Sequence, residues 1–236
     1  MISTRKKLFR ISSVTGSTKR IRNFYSALYR KHGPQNWWPA RTRLECATGA
    51  ILTQNTSWKN AEKAIERLRG CSMLSAGKLR AVSHKQLALL IRPCGYHNLK
   101  ARRLKNFIDF LFADYAGAME NMLTEDTDIL RKKLLSVNGI GEETADSILL
   151  YALGKPVFVV DNYSRRILRR HRLIPEGASY TSIQKLFAES LAADTEVFGE
   201  YHALIVKTGK LHCRKTANCE GCPLEGDPHD RGINSF

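Results

Sequence analysis

An all-α fold is what this sequence predicts, and three observations predict it. Apolar residues recur at spacings of three and four through most of the chain. Clusters of Gly, Pro, Ser and Asn cut that pattern into segments of helical length. A single β-rich run, Val157-Phe158-Val159-Val160, interrupts it. The 236 residues suffice for one or two domains with a substantial buried core.

The first residues, 1–19, read as a flexible basic arm. They are acid-free and rich in Arg, Lys, Ser and Thr, a makeup that organellar transit peptides share. Residues 20–31 predict a helix with Ile21, Phe24, Tyr25, Leu28 and Tyr29 on one side. Gly33-Pro34 breaks it, and Trp37-Trp38-Pro39 follows. Two adjacent tryptophans cannot share one helical face. They are either a hydrophobic clamp between domains or a stacking wall for a base. Helices are then expected over 43–54, 58–70, 75–80, 84–92, 98–117, 126–137 and 143–153, and, after the β-rich run, over 162–171, 180–192 and 198–210.

The stretch 137–161, VNGIGEETADSILLYALGKPVFVVD, organises the rest. Gly139 and Gly141 lie in a turn between two apolar-periodic segments, where glycine permits positive φ and close approach of another backbone or a phosphate. Thr144, preceded by Glu142 and Glu143, reads as the start of the second helix. Gly154-Lys155-Pro156 stops that helix, and the apolar run then ends on one carboxylate, Asp161. A glycine turn at a helix N-terminus is a ready anion site. Asp161 is either an N-cap for the next helix or an acid placed for chemistry.

Together these residues resemble the helix-hairpin-helix plus Gly/Pro-rich loop and aspartate signature of the endonuclease III superfamily of DNA glycosylases. Here the signature reads L-x-x-V-N-G-I-G-x-x-T-A followed by V-F-V-V-D. Two further segments are similar to the family. One is Ala50-Ile51-Leu52-Thr53-Gln54-Asn55-Thr56, where the family carries a Gln or Asn that fills the hole left by a flipped-out base. The other is the turn Ile91-Arg92-Pro93-Cys94-Gly95-Tyr96-His97-Asn98-Leu99-Lys100-Ala101. The resemblance covers about 20–225. It implies two helical domains, 20–43 plus 157–212 and 44–156, with a DNA-binding cleft between them and a cysteine motif and tail over 213–236. It further implies that Asp161 is catalytic and that Gly139, Gly141, Thr144, Gln54, Asn55, Gly95, Lys100 and Arg165 bind DNA. Trp37, Trp38 and Lys210 are expected in the substrate pocket.

Charge agrees with such a partner. Lys and Arg number 38 against 22 acids, a net of +16, and no acid precedes Glu45. A dense basic block follows Asp161, from Arg165 to Arg172, and reads as phosphate contacts. No run approaches the ~18 apolar residues of a membrane span, and there is no apolar signal-peptide core. The expected setting is cytoplasmic, nucleoid-associated in a prokaryote, with the chain acting as a monomer on double-stranded DNA containing a damaged base.

Excising a base breaks an N-glycosidic bond through an oxocarbenium-like sugar, which a carboxylate stabilises while activating water. Strand-nicking relatives place a lysine two residues after the second hairpin glycine. This chain has Glu143 there, and a carboxylate cannot form an imine. The reading is therefore a monofunctional glycosylase, and the tryptophans look most like the 3-methyladenine-type branch. A bifunctional glycosylase/lyase and a non-catalytic DNA binder are the alternatives. The family's [4Fe–4S] motif is C-x6-C-x2-C-x5-C, whereas this chain offers Cys213-x5-Cys219-x2-Cys222 and no fourth cysteine. A cluster completed by His229 or Asp227, a Cys₃His zinc site and a decayed motif of plain thiols all remain open.

Overall fold

The computed structural model describes residues 16–230, and the basic arm therefore falls outside the description up to residue 15. Eleven α-helices account for the described chain: α1 Gly16–His32, α2 Arg43–Leu52, α3 Trp58–Gly70, α4 Ala76–Ala81, α5 His84–Leu90, α6 His97–Tyr115, α7 Thr127–Ser136, α8 Glu142–Ser147, α9 Asn162–Arg170, α10 Tyr180–Ser190 and α11 Thr195–Leu211. No strand occurs among the described residues. One isolated bridge joins Cys213 to Ala217. No described helix is long and apolar enough to cross a membrane.

Most helix starts follow from capping chemistry. Thr42 Oγ1 accepts from the Glu45 amide at 3.1 Å to open α2. Ser83 and Gln86 form a capping box on α5. Asp126, Asp161, Ser179 and Asp194 open α7, α9, α10 and α11 by accepting backbone N–H groups. Helix α1 begins at Gly16, so residues 16–19 are not part of a loose arm. Thr18 is buried with Ile21, Phe24 and Leu28, which extends the apolar stripe one turn toward the N-terminus.

The chain divides into two compact units, one running to Gln35 and resuming at Val160, the other Asn36–Val159. In the second, α6 is the axis. Its Ala101, Leu104, Phe107, Ile108 and Leu111 are all fully buried, and the helix packs against α2, α4 and α5. Trp38 packs on Gly49 of α2, so closely that a Cβ there would lie 3.2 Å from the indole. That contact holds 36–43 in this unit, where the sequence placed them in the other. The first unit joins α1, α9, α10 and α11. Tyr201 is buried at its centre, with its hydroxyl donating to Ile21 O at 2.8 Å and its ring against Tyr25 and Phe187.

The β-rich run is extended without a strand partner. Phe158, Val159 and Val160 are buried, and the Val160 amide finds the Tyr180 hydroxyl at 3.2 Å instead of a neighbouring strand. Helix α8 widens into a π turn over Ile148–Ala152 before Gly154, at φ +65°, ends it.

Candidate active site

Asp161 is the N-cap residue of α9, and it is 8% exposed. Its Oδ1 accepts from the Ser164 amide at 2.7 Å and from the Ser164 hydroxyl at 2.8 Å. Its Oδ2 stands 3.6 Å from His202 Nε2, an ion-pair distance rather than a hydrogen bond. Burial alone would push the carboxyl up. The His202 ring and the two Ser164 donors outweigh it and hold Asp161 below the usual carboxylate range. The N-cap reading of this residue therefore holds, and it occupies only one oxygen, the other facing the His202 ring.

The partner helix α11 fixes this geometry. His202 and Gly209 are seven residues apart and share a helix face. Gly209 receives the ring of Tyr163, where a Cβ would lie 2.3 Å from Tyr163 Cδ1. The Arg166 guanidinium covers the same ring from 5.0 Å. Sequence reading missed His202 and Ser164. Ser164 was visible as the third residue after an N-cap, but a histidine within an apolar helix carries no such mark.

In the other unit the glycine hairpin is tied to the α2–α3 loop. Gln54 Nε2 donates to Gly139 O and to Thr144 Oγ1, both at 2.9 Å, and Gln54 Oε1 accepts from Arg103 Nη1. Gly139 has φ +95°, and a Cβ there would meet Arg103 Cγ at 2.3 Å. Gly141 does not share that conformation. It is extended at φ −96° and serves as the N-cap of α8, which therefore begins at Glu142 rather than Thr144. Gly141 has no side chain with which to cap this first turn. Asn55 is exposed and left-handed at φ +51°.

Two basic expectations need correction. Lys100 is 1% exposed and donates to Leu52 O at 2.9 Å and Cys94 O at 2.8 Å. It joins the end of α2 to the turn holding Gly95, at φ +68°, and has no surface to offer a phosphate. Much of the block after Asp161 is likewise engaged by protein partners, although Arg172 at its end is exposed. Arg165 Nη1 donates to Ala178 O at 2.8 Å, Arg166 Nε to Cys213 O at 2.5 Å, and Arg169 pairs with Glu176 at 2.6 Å. Arg170, 2% exposed, serves Cys213 Sγ, Arg214 O and Lys215 O. Carbonyls left over at helix ends and loops have claimed these guanidinium groups.

Trp37 and Trp38 join Trp58 in a three-indole cluster with centroids 4.8–5.5 Å apart, and Tyr151 lies 5.2 Å from Trp38. Trp38 and Trp58 line a pocket together with Glu45, Glu62, Glu66 and Arg69. Glu45 is paired with Arg69 at 2.6 Å. Lys210 lies in the other unit, exposed near the end of α11.

Cys213, Cys219 and Cys222 are free thiols that line one small pocket with His229, His171 and His212. Among the described residues, no three His, Cys, Asp or Glu side chains are arranged to hold a single metal ion. Asp227 is occupied elsewhere, by Arg20 and by His171 Nδ1 at 2.8 Å.

The family description "HhH-GPD superfamily base excision DNA repair protein" matches residues 48–193. The "Putative DNA repair glycosylase MJ1434" of Methanocaldococcus jannaschii is 50% identical over 87% of this chain and 94% of its own length. The 3-methyladenine DNA glycosylase MagIII of H. pylori, solved bound to 1,N6-ethenoadenine, superposes with a TM-score of 0.71 at 29% identity, over 82% of this chain and 97% of that one. A non-covalent endonuclease III–DNA complex shares the fold, with a TM-score of 0.75 at 22% identity over 88% and 92% of the two chains. With the family's signature spanning more than half its length and a half-identical relative along most of it, the chain belongs to the HhH-GPD superfamily of base excision DNA repair glycosylases.

Proposed function

We propose that this chain is a monofunctional DNA glycosylase that hydrolyses the N-glycosidic bond of alkylated bases in duplex DNA, with Asp161 as the catalytic carboxylate. The observation that carries the reading is the placement of Asp161: a buried carboxyl anchored through Oδ1 by Ser164, with Oδ2 facing His202 at 3.6 Å, and held below the usual carboxylate range by these neighbours. An anionic carboxylate beside the sugar stabilises the developing oxocarbenium ion and orients the water that attacks it. The target nucleotide must first leave the stack, which costs least for a damaged base.

Two features favour the monofunctional, alkyl-base assignment. Glu143 stands at the exposed start of α8 where a lyase would need an amine. The indole-walled pocket carries three glutamates around Trp38 and Trp58, a setting that suits the cationic ring of an alkylated purine. MagIII, with its bound etheno-adenine, supports the same substrate class. The hairpin at Gly139 and Gly141, Thr144, and the exposed Asn55 are assigned to the DNA backbone and the vacated stack. Gln54 holds the hairpin in place.

The cysteine loop fits an iron–sulfur cluster better than a lone ion. Three thiols and a buried imidazole nitrogen line one pocket, whereas a single zinc would need its ligands gathered about one point. Cys213, Cys219 and Cys222 would hold a [4Fe–4S] cluster, which would supply structural order to the loop after α11 and take no part in base release.

The test uses duplex DNA with one alkylated purine and compares wild type with Asp161→Asn, with and without hot alkali. Base release that yields breaks only after alkali, and that disappears in the variant, supports the proposal. Breaks without alkali that borohydride traps would assign an amine nucleophile and overturn the monofunctional reading. Intact binding with no release from any lesion would overturn the catalytic one.

A further inference from the structure

We infer that His229 is the fourth ligand of the cysteine-loop cluster, bound through Nε2. The inference rests on the cluster reading above and is independent of the glycosylase assignment. Its first support is a buried atom without a partner. His229 Nε2 is inaccessible and makes no hydrogen bond, which a native fold rarely tolerates unless something absent completes it. The second is the tautomer. His229 Nδ1 lies 2.7 Å from Asp227 O. A carbonyl can only accept, so Nδ1 carries the hydrogen, and in the neutral ring the lone pair sits on Nε2. Metal-bound histidines are oriented in this way, one nitrogen donating to a carbonyl while the other ligates. The third is location, since His229 lines the same pocket as Cys213, Cys219 and Cys222.

Competing candidates for the fourth position differ from His229 in one respect each. Asp227 is held by Arg20 and His171. His171 and His212 also spend Nδ1 on oxygen acceptors, Asp227 Oδ1 and Asn218 O, but of the three rings only His229 has a buried Nε2 without a partner. The loop is also prepared on the thiol side. Arg170 Nη1 lies 3.0 Å from Cys213 Sγ, and Arg166 holds the Cys213 carbonyl. A guanidinium donating to a ligating sulfur stabilises its thiolate form and tunes a bound cluster.

The experiment takes the full chain, purified anaerobically and reconstituted with ferrous iron and sulfide, and compares it with His229→Cys and His229→Ala. Iron, zinc and acid-labile sulfide are quantified, and the reduced protein is examined by pulsed electron paramagnetic resonance for ¹⁴N hyperfine coupling. The expected wild type holds about four irons and four sulfides per chain and shows a strong nitrogen coupling. His229→Cys should retain the iron and lose the coupling. His229→Ala should release iron to a chelator at least several-fold faster. Circular dichroism identifies any variant that fails to fold, in which case the coupling in wild type and His229→Cys decides alone. A wild-type chain without iron, or with zinc in its place, overturns the inference, as does a coupling that persists in His229→Cys. Asp161→Asn should carry the same iron as wild type, so failure of the catalytic reading cannot be mistaken for failure of this one.

Discussion

Like Asp126 and Asp194, Asp161 caps its helix through Oδ1 alone, and its Oδ2 is left to His202. Asn is as good an N-cap as Asp, so Asp161→Asn should keep α9 in place and preserve the circular dichroism spectrum. Base release should fall by roughly 10²–10⁴-fold, the range for loss of a positioned acid–base group. Burial raises the carboxyl and His202 with Ser164 more than offsets it, so the native state gives up this proton more readily than the unfolded chain. Asp161 therefore contributes stability above the ordinary carboxylate pKa and loses it as pH falls through the lower native value. Replacing His202 by Asn removes the largest lowering influence while the burial remains. The acid limb of the pH–rate profile should then move to higher pH, and an unmoved limb would show that His202 does not act on Asp161.

At the scale of elements, two glycines mark where close approach matters. Gly139 combines a φ of +95° with Arg103 pressed against its missing side chain, and Arg103 in turn holds Gln54. Gly139→Ala should cost about 1–3 kcal/mol in thermal or denaturant unfolding and weaken DNA binding, because hairpin and loop move together. Gly209→Ala meets the Tyr163 ring instead. An overpacking cost of about 1–3 kcal/mol should accompany a lower kcat with little change in KM, since α9 carries Asp161 and the hairpin lies in the other unit. The existence of the helices was legible in the sequence because an apolar stripe and a polar cap are local facts, as at Asp126 and Asp194. Gly141 was misread because two glycines in one turn look alike until the backbone assigns positive φ to the first and extension to the second. The run 157–160 has strand composition, yet burial of Phe158, Val159 and Val160 serves an extended connector equally well.

For the whole molecule, the formal charge of +16 overstates the surface available to DNA. Sequence composition counts cations but cannot tell which carbonyl or carboxylate each will meet. Lys100, Lys105, Arg165, Arg166, Arg169 and Arg170 all end on protein partners, whereas Arg102 on the same helix as Lys100 is exposed. The salt dependence of binding separates the two classes, because each phosphate contact adds about 0.9 to the slope of log K against log salt. Arg102→Gln should lower that slope by about one and leave the unfolding midpoint unchanged. Lys100→Met should leave the slope unchanged and cost about 1–3 kcal/mol for each buried carbonyl it strands, Leu52 O and Cys94 O. If Lys100→Met instead lowered the slope with stability intact, the interior placement of its ammonium group would not describe the chain in solution. If Arg102→Gln changed neither quantity, the first turns of α6 would lie outside the DNA footprint, and the basic surface would have to be sought on other helices.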